Sequence, residues 1–170
     1  MAGENIVEIN DSIFIADIVN KSFITVARQF GFTGENAPRF AAFIGPNIIE
    51  GNIRKGLKMY GYQKGDQIIG CAGYSFYRDQ TYFIERLAVL PEYRHLGIGK
   101  KLMEFAEGKI MGNGGKTAEI HVVDKNTVLI QWYEKLGYEK VRVDELKNFP
   151  FNSYVMNKEL FKHDSKNPSA

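Results

Sequence analysis

Nine residues between a strand-like run and a helix-like run, YRHLGIGKK from Tyr93 to Lys101, restrict this chain more than any other segment. The run before it, Thr81–Leu90, reads as a strand. The run after it, Ile98–Met111, places Ile98, Leu102, Phe105, Ala106 and Ile110 on one helix face. A strand followed by such a helix and then by another strand demands a parallel strand pair. The start of the helix leaves several backbone N–H groups free at the positive end of the helix dipole. Gly97 and Gly99 allow the main chain to approach a ligand with no Cβ in the way. Arg94, His95, Lys100 and Lys101 add positive field around the same spot. A pyrophosphate is the simplest ligand for such a turn. A Gly-x-Gly pair can also do no more than tighten a strand-to-helix turn, so the rest of the chain must decide.

The remaining segments follow in order. Ile6–Ile9 is a short strand. Asp11 caps a helix whose apolar side holds Ile13, Ala16, Val19, Phe23, Val26, Ala27 and Phe30, and Gly31 ends it. Residues 32–56 are broken by glycine and proline and hold one or two short helices. KMYGYQ and QIIGCAGYSFY flank the hairpin turn Lys64-Gly65-Asp66, and a second turn near Arg78-Asp79-Gln80 leads into TYFIERLAVL. After the helix at 98–111 come the strand AEIHVV, a short helix at Thr127–Leu136 ended by Gly137, and the strands YEKVRVDEL and FNSYVMNKEL. The order predicts an α+β (mixed α/β) fold with one mixed sheet covered by helices.

Composition narrows the function. The 170 residues, 44% of them hydrophobic, fit one domain over 1–170 with a polar, frayed tail at 162–170. A net charge of +2 with both signs interspersed argues against a nucleic-acid binder, since there is no basic stripe. The N-terminus MAGENIVEIN has neither a basic n-region nor an apolar h-region, and no apolar run nears the ~20 residues of a membrane span. These features predict a cytoplasmic protein with no membrane partner. The single cysteine, Cys71, lies in an apolar strand and reads as buried and inert. A Rossmann reading fails because the glycine turn follows antiparallel strands, and residues 112–115, about where its acidic residue should stand, are a glycine loop. A Walker A loop fails on spacing.

The segments LAVLPEYRHLGIGKKLM, HVVDKN and WYEKLGYEK, in this order and spacing, resemble the GNAT superfamily of N-acetyltransferases. The likeness covers nearly the whole chain and is strongest from Phe83 to Glu139. It implies a central, mostly antiparallel sheet of about seven strands with helices on both faces and a splayed parallel pair in the middle. It also implies acetyl-CoA as co-substrate, with no metal. The pantetheine arm would pair like an added strand with Leu87, Ala88 and Val89. The pyrophosphate would lie on the backbone from Arg94 through His95, Leu96, Gly97, Ile98 and Gly99 to Lys100. Asn126 resembles the family asparagine that holds the cofactor arm, and helix capping is an equally good use of it. Tyr133 resembles the general acid that protonates the leaving thiolate; its plainer reading is a core aromatic beside Trp132, which itself reads as core.

For the general base the residues leave several openings. His121 has a suitable chemistry but stands where related enzymes carry a glutamate. Glu85 shares alternation parity with Leu87 and Val89, and Glu119 shares parity with His121. Any of these can be a bystander, and ordered water can carry the proton instead. The family places the acceptor pocket on the segments that here are Gly31–Gly56 and Asp144–Tyr154. The first is apolar and aromatic, with Arg39 and Glu35 among few charges, which suits a small amine better than a polyamine or basic peptide. The resemblance thus implies acetyl transfer to a primary amine of a small molecule or peptide by direct attack in a ternary complex. A non-catalytic acetyl-CoA sensor and a structural dimerisation module of the same fold stay open, as does a homodimer.

Overall fold

The Asp11 carboxylate accepts from the main-chain N–H groups of Ile13 and Phe14, both at 3.0 Å, and so starts the longest helix, α1 (Ser12–Phe30). Gly31, in the left-handed conformation at φ 71°, ends it. The structure is a computed structural model and describes residues 5–161; the tail expected to fray at 162–170 lies outside the described residues. The stripe that α1 buries runs through Ile15, Ala16, Ile18, Val19 and Ser22. Ile13, expected on that stripe, is instead 71% exposed, in the first turn of the helix ahead of the first buried residue, Ile15.

The strands are β1 (Asn5–Glu8), β2 (Lys58–Lys64), β3 (Gln67–Arg78), β4 (Thr81–Val89), β5 (Thr117–Val123), β6 (Glu139–Asp144) and β7 (Ser153–Glu159). They form one seven-stranded sheet in the order β1-β2-β3-β4-β5-β7-β6. The helices are α1, α2 (Pro46–Arg54), α3 (Ile98–Gly112) and α4 (Thr127–Lys135), with a 3₁₀ turn at Pro91–Tyr93. All neighbouring strands are antiparallel except β4 and β5, which α3 joins in parallel. β7 inserts between β5 and β6 for a reason visible in its side chains. Its successive residues Val155 and Met156 are both fully buried, as a strand covered on both faces requires. Val141 and Val143 of β6 stay exposed at the edge.

One face of the sheet carries Met59, Cys71, Ala88 and Leu90 under α1 and Ile49 of α2. The other carries Tyr60, Tyr74, Ile84 and Ile120 under Met103 and Ile110 of α3 and Ile130 and Tyr133 of α4. Burial pushes the Cys71 thiol up to about 12, in line with an inert cysteine.

Two irregularities position the site. First, β4 and β5 pair only at Thr81–Thr117, Tyr82–Ala118 and Phe83–Glu119, and beyond that each continues without the other. Second, β4 carries a bulge. Glu85 pairs with Gly73 and Ala88 with Cys71, so Arg86 and Leu87 together oppose Ala72. Arg86 takes the left-handed conformation, φ 55°, to make the extra residue fit. The bulge corrects the expected parity. Glu85 faces α1 with Ala88, whereas Leu87 and Val89 turn to the α3 face, because one inserted residue inverts the alternation.

Candidate active site

The turn before α3 has the form its glycines suggest. Gly97, at φ 78°, caps the helix without a side-chain bond. His95 is also left-handed, at φ 62°. Among the described residues, no acceptor takes the main-chain N–H of any residue from His95 to Lys100; the first to be satisfied is Lys101, which donates to the Gly97 carbonyl at 3.1 Å. A row of free N–H groups at a helix N-terminus is a concave anion site. A Cβ added at Gly97 would meet nothing within 4 Å, so the glycine is there for its φ and for the open space in front of it.

Arg94 is organised differently from its neighbours. Its Nε donates to the Val89 carbonyl at 3.3 Å, its Nη1 to Thr25 Oγ1 at 2.9 Å, and its Nη2 to the Ser22 carbonyl. The guanidinium thereby ties the turn to α1 and to the end of β4. His95 and Lys100 line the groove beside the turn, and Lys100 also pairs with Glu104 at 3.7 Å. The groove, about 500 Å³, runs from this turn along Leu87, Ala88 and Val89 to Asn126. These β4 residues border the gap where β5 has departed, so their edge is open to an added extended chain.

Asn126 caps α4: its Oδ1 accepts from the Leu129 N–H at 3.2 Å. The cap engages only the oxygen, and Asn126 lines the groove, so capping and ligand contact are compatible. Trp132, read from sequence as core, is partly buried but lines the groove, and Gly99 lies against its ring closely enough that a Cβ there would stand 3.5 Å away. Phe23 and Val26 of α1 form the opposite wall. The sequence holds no sign of their role, because α1 reaches the groove only through tertiary packing.

The groove opens into a second cavity of about 660 Å³, and the two share Phe23, Val26, Leu87, Asn126 and Leu129. The parted strands let residues from both sheet faces line this cavity. Tyr133 enters from the α3 side, where it is 6% exposed and packs against Trp132 and Tyr138 with ring centroids 4.9 and 5.8 Å away. Burial holds its phenol well above the usual tyrosine range, and its hydroxyl makes no hydrogen bond to any described residue. A neutral phenol with no partner among the described residues can give a proton to a group placed in the cavity.

Glu85 and His121 enter from the α1 side. The Glu85 carboxylate accepts from Ser75 Oγ at 2.7 Å. His121 stands edge-on to Phe83, and its Nε2 lies 3.3 Å from Glu119 Oε1. With Nε2 donating to that carboxylate, Nδ1 keeps the lone pair and can accept a proton. Glu119 itself is buried and already engaged: Arg142 Nη2 donates to it at 3.3 Å, and the Asn157 amide reaches its other oxygen at 3.1 Å. The structure thus brings Tyr133, Glu85 and His121 to one cavity and leaves Glu119 behind His121. The far wall is aromatic, with Phe40 from the segment after α1 and Phe149 and Phe151 from the β6–β7 connection. Arg39 and Arg86 complete the lining. Arg86 escaped the sequence reading, although a lone arginine amid the apolar run of β4 was a visible signal.

Residues 24–138 match the acetyltransferase (GNAT) family. An uncharacterized N-acetyltransferase of Chlorobaculum tepidum is 34% identical over 84 residues, 49% of this chain and 49% of that protein, so the match spans about half the length of this curated relative. Among solved structures, the PaiA N-acetyltransferase of Thermoplasma acidophilum, determined in complex with coenzyme A, superposes with a TM-score of 0.75 at 18% identity, over 92% of this chain and 99% of that one. The ribosomal-protein-S18-alanine N-acetyltransferase of Escherichia coli gives 0.71 at 14% identity, over 97% and 99%. Identities this low speak for a shared fold, which the parted parallel pair and the open glycine turn also express. The chain belongs to the acetyltransferase (GNAT) family.

Proposed function

We propose that this protein transfers the acetyl group of acetyl-CoA to a primary amine by direct attack in a ternary complex. The observation that carries the reading is the junction of groove and cavity where β4 and β5 part, with free main-chain donors at one end and Tyr133 at the other. In this reading the pyrophosphate lies on the N–H groups of His95–Lys100, and the pantetheine arm runs along Leu87–Val89. The thioester then sits in the gap. The amine attacks its carbonyl carbon from the α1 side; the C–N bond forms and the C–S bond breaks. The thiolate leaves toward the α3 side, where the Tyr133 phenol gives it a proton. Glu85 or His121, directly or through water, takes the proton that the amine must lose.

The test is thiol release from acetyl-CoA across a panel of primary amines, with mass spectrometry of the amine. The reading expects amine-dependent thiol in step with a gain of one acetyl group on the amine. Tight acetyl-CoA binding with no amine-dependent release from any panel member contradicts it and favours a sensor.

A further inference from the structure

The bulge in β4 places a cation where an apolar core would be expected. Arg86 is largely withdrawn from solvent, and its Nε is buried without any hydrogen-bond partner, alone in this among the side-chain atoms of the described residues. No carboxylate among the described residues lies within ion-pair distance of it, although the Glu85 charge beside it favours its charged form, and the Cys71 thiol donates to its main-chain carbonyl. Its chain neighbour Glu85 turns to Ser75 instead. A guanidinium stays charged in a protein. With its Nε buried and unbonded the group is costly to keep, and an anionic ligand in the cavity would complete it.

The charge lies on the wall of the 660 Å³ cavity that the proposed function assigns to the acceptor, and the present inference rests on that assignment. The cavity pairs it with Glu85, so one wall offers an anion and a cation from adjacent residues. Arg39 stands exposed and adds positive charge to the same lining. The remaining walls are largely apolar, with Phe40, Phe83, Phe149 and Phe151. A ligand that satisfies all three features carries an amino group, an anionic group close to it, and an apolar body. A guanidinium fork matches a carboxylate in a planar, bidentate manner. One buried cation also balances one monoanion, whereas a phosphate dianion would need further buried donors.

We propose that the acceptor is an amino compound bearing a carboxylate, most simply an α-amino acid with an apolar side chain, and that Arg86 receives the carboxylate. Glu85 then faces the ammonium end, and the aromatic wall takes the side chain. Arg86 acts here as a specificity residue and has no part in the proton transfers.

The experiment compares phenylalanine with phenethylamine, which differs only by the carboxylate, in the thiol-release assay. A second arm measures binding of N-acetylphenylalanine and N-acetylphenethylamine to the coenzyme A-loaded protein by calorimetry. In each arm the carboxylate should favour its bearer by about 10- to 100-fold, the range of a charge-assisted hydrogen bond to a buried partner. Arg86→Met should collapse that ratio toward one, and Arg86→Lys should restore it only in part, since a point charge cannot reproduce the fork. Equal use of both amines, preference for phenethylamine, or a ratio unchanged in Arg86→Met overturns the proposal. Faster turnover of phosphoethanolamine than of any amino acid overturns the carboxylate assignment. The binding arm separates the two readings. A protein that binds N-acetylphenylalanine through Arg86 but acetylates no amine contradicts acetyl transfer and supports the anion site. One that acetylates phenethylamine at least as fast as phenylalanine does the reverse.

Discussion

The guanidinium of Arg94 donates into α1, to the carbonyl of Ser22, while its Nε holds the carbonyl of Val89 at the end of β4. A residue that reads in the sequence as a phosphate ligand therefore braces three elements around the anion turn. Each of its three nitrogens donates within the protein, so what it chiefly offers an anion in the turn is charge and geometry. Arg94→Lys keeps the charge and loses the fork. We expect coenzyme A affinity to fall by about 1–3 kcal/mol, with a parallel loss of thermal stability. Calorimetry and thermal unfolding on the same variant check this, and an unchanged affinity contradicts the bracing role.

Gly97 separates backbone strain from electrostatics. A Cβ at this position meets no atom, so Gly97→Ala carries only the cost of a left-handed alanine, about 1–2 kcal/mol of fold stability. Gly97→Asp adds a negative charge before the free N–H groups. It should lose coenzyme A binding by roughly a further 1–3 kcal/mol relative to Gly97→Ala. Equal affinities for the two variants mean that no anion binds here.

Tyr133→Phe removes one hydroxyl and little packing. We expect turnover to drop by about 10²–10⁴-fold while coenzyme A affinity stays within a factor of about two. The pH dependence has a definite sign. Burial raises the phenol above its ordinary value, so the proton-bearing form persists as pH rises. The rate should therefore show no basic limb from Tyr133 below about pH 10, the ordinary tyrosine pKa. Unfolded tyrosine ionises near that pH while the native residue stays neutral, so this residue's contribution to stability is lost as pH rises above ~10. An unchanged rate in Tyr133→Phe places it among ordinary core aromatics.

His121 and Glu85 are distinguished by paired substitutions. If His121 is the base, His121→Gln carries the larger loss of rate, and if Glu85 is the base, Glu85→Gln does. Turnover of both variants on one amine decides, and small losses in both assign the proton to water.

Much of this arrangement was legible in the sequence because it depends on local chemistry. The Asp11 cap, the Gly31 stop, the hairpin at Lys64–Asp66 and the glycine turn at Gly97 each follow from the residues that form them. The site features that depend on the sheet were not legible. Alternation along β4 put Glu85 on the side of Leu87 and Val89, and one bulge residue, Arg86, reversed that. Trp132 looked like core because its groove exists only once α4 packs beside Gly99. The insertion of β7 between β5 and β6 is a matter of long-range pairing, which the successive apolar residues Val155 and Met156 permit but do not specify.

The central claim is that the acetyl-CoA site is the open turn at His95–Lys100 together with the unpaired edge of β4. Titration of ¹⁵N-labelled protein with coenzyme A, followed by amide resonances, tests it without any knowledge of the acceptor. The account predicts saturable shifts at the amides of His95–Lys100 and Leu87–Val89, with β1 and β6 unmoved. Saturable binding that leaves those two segments unshifted, or that moves the β6 edge instead, would contradict it.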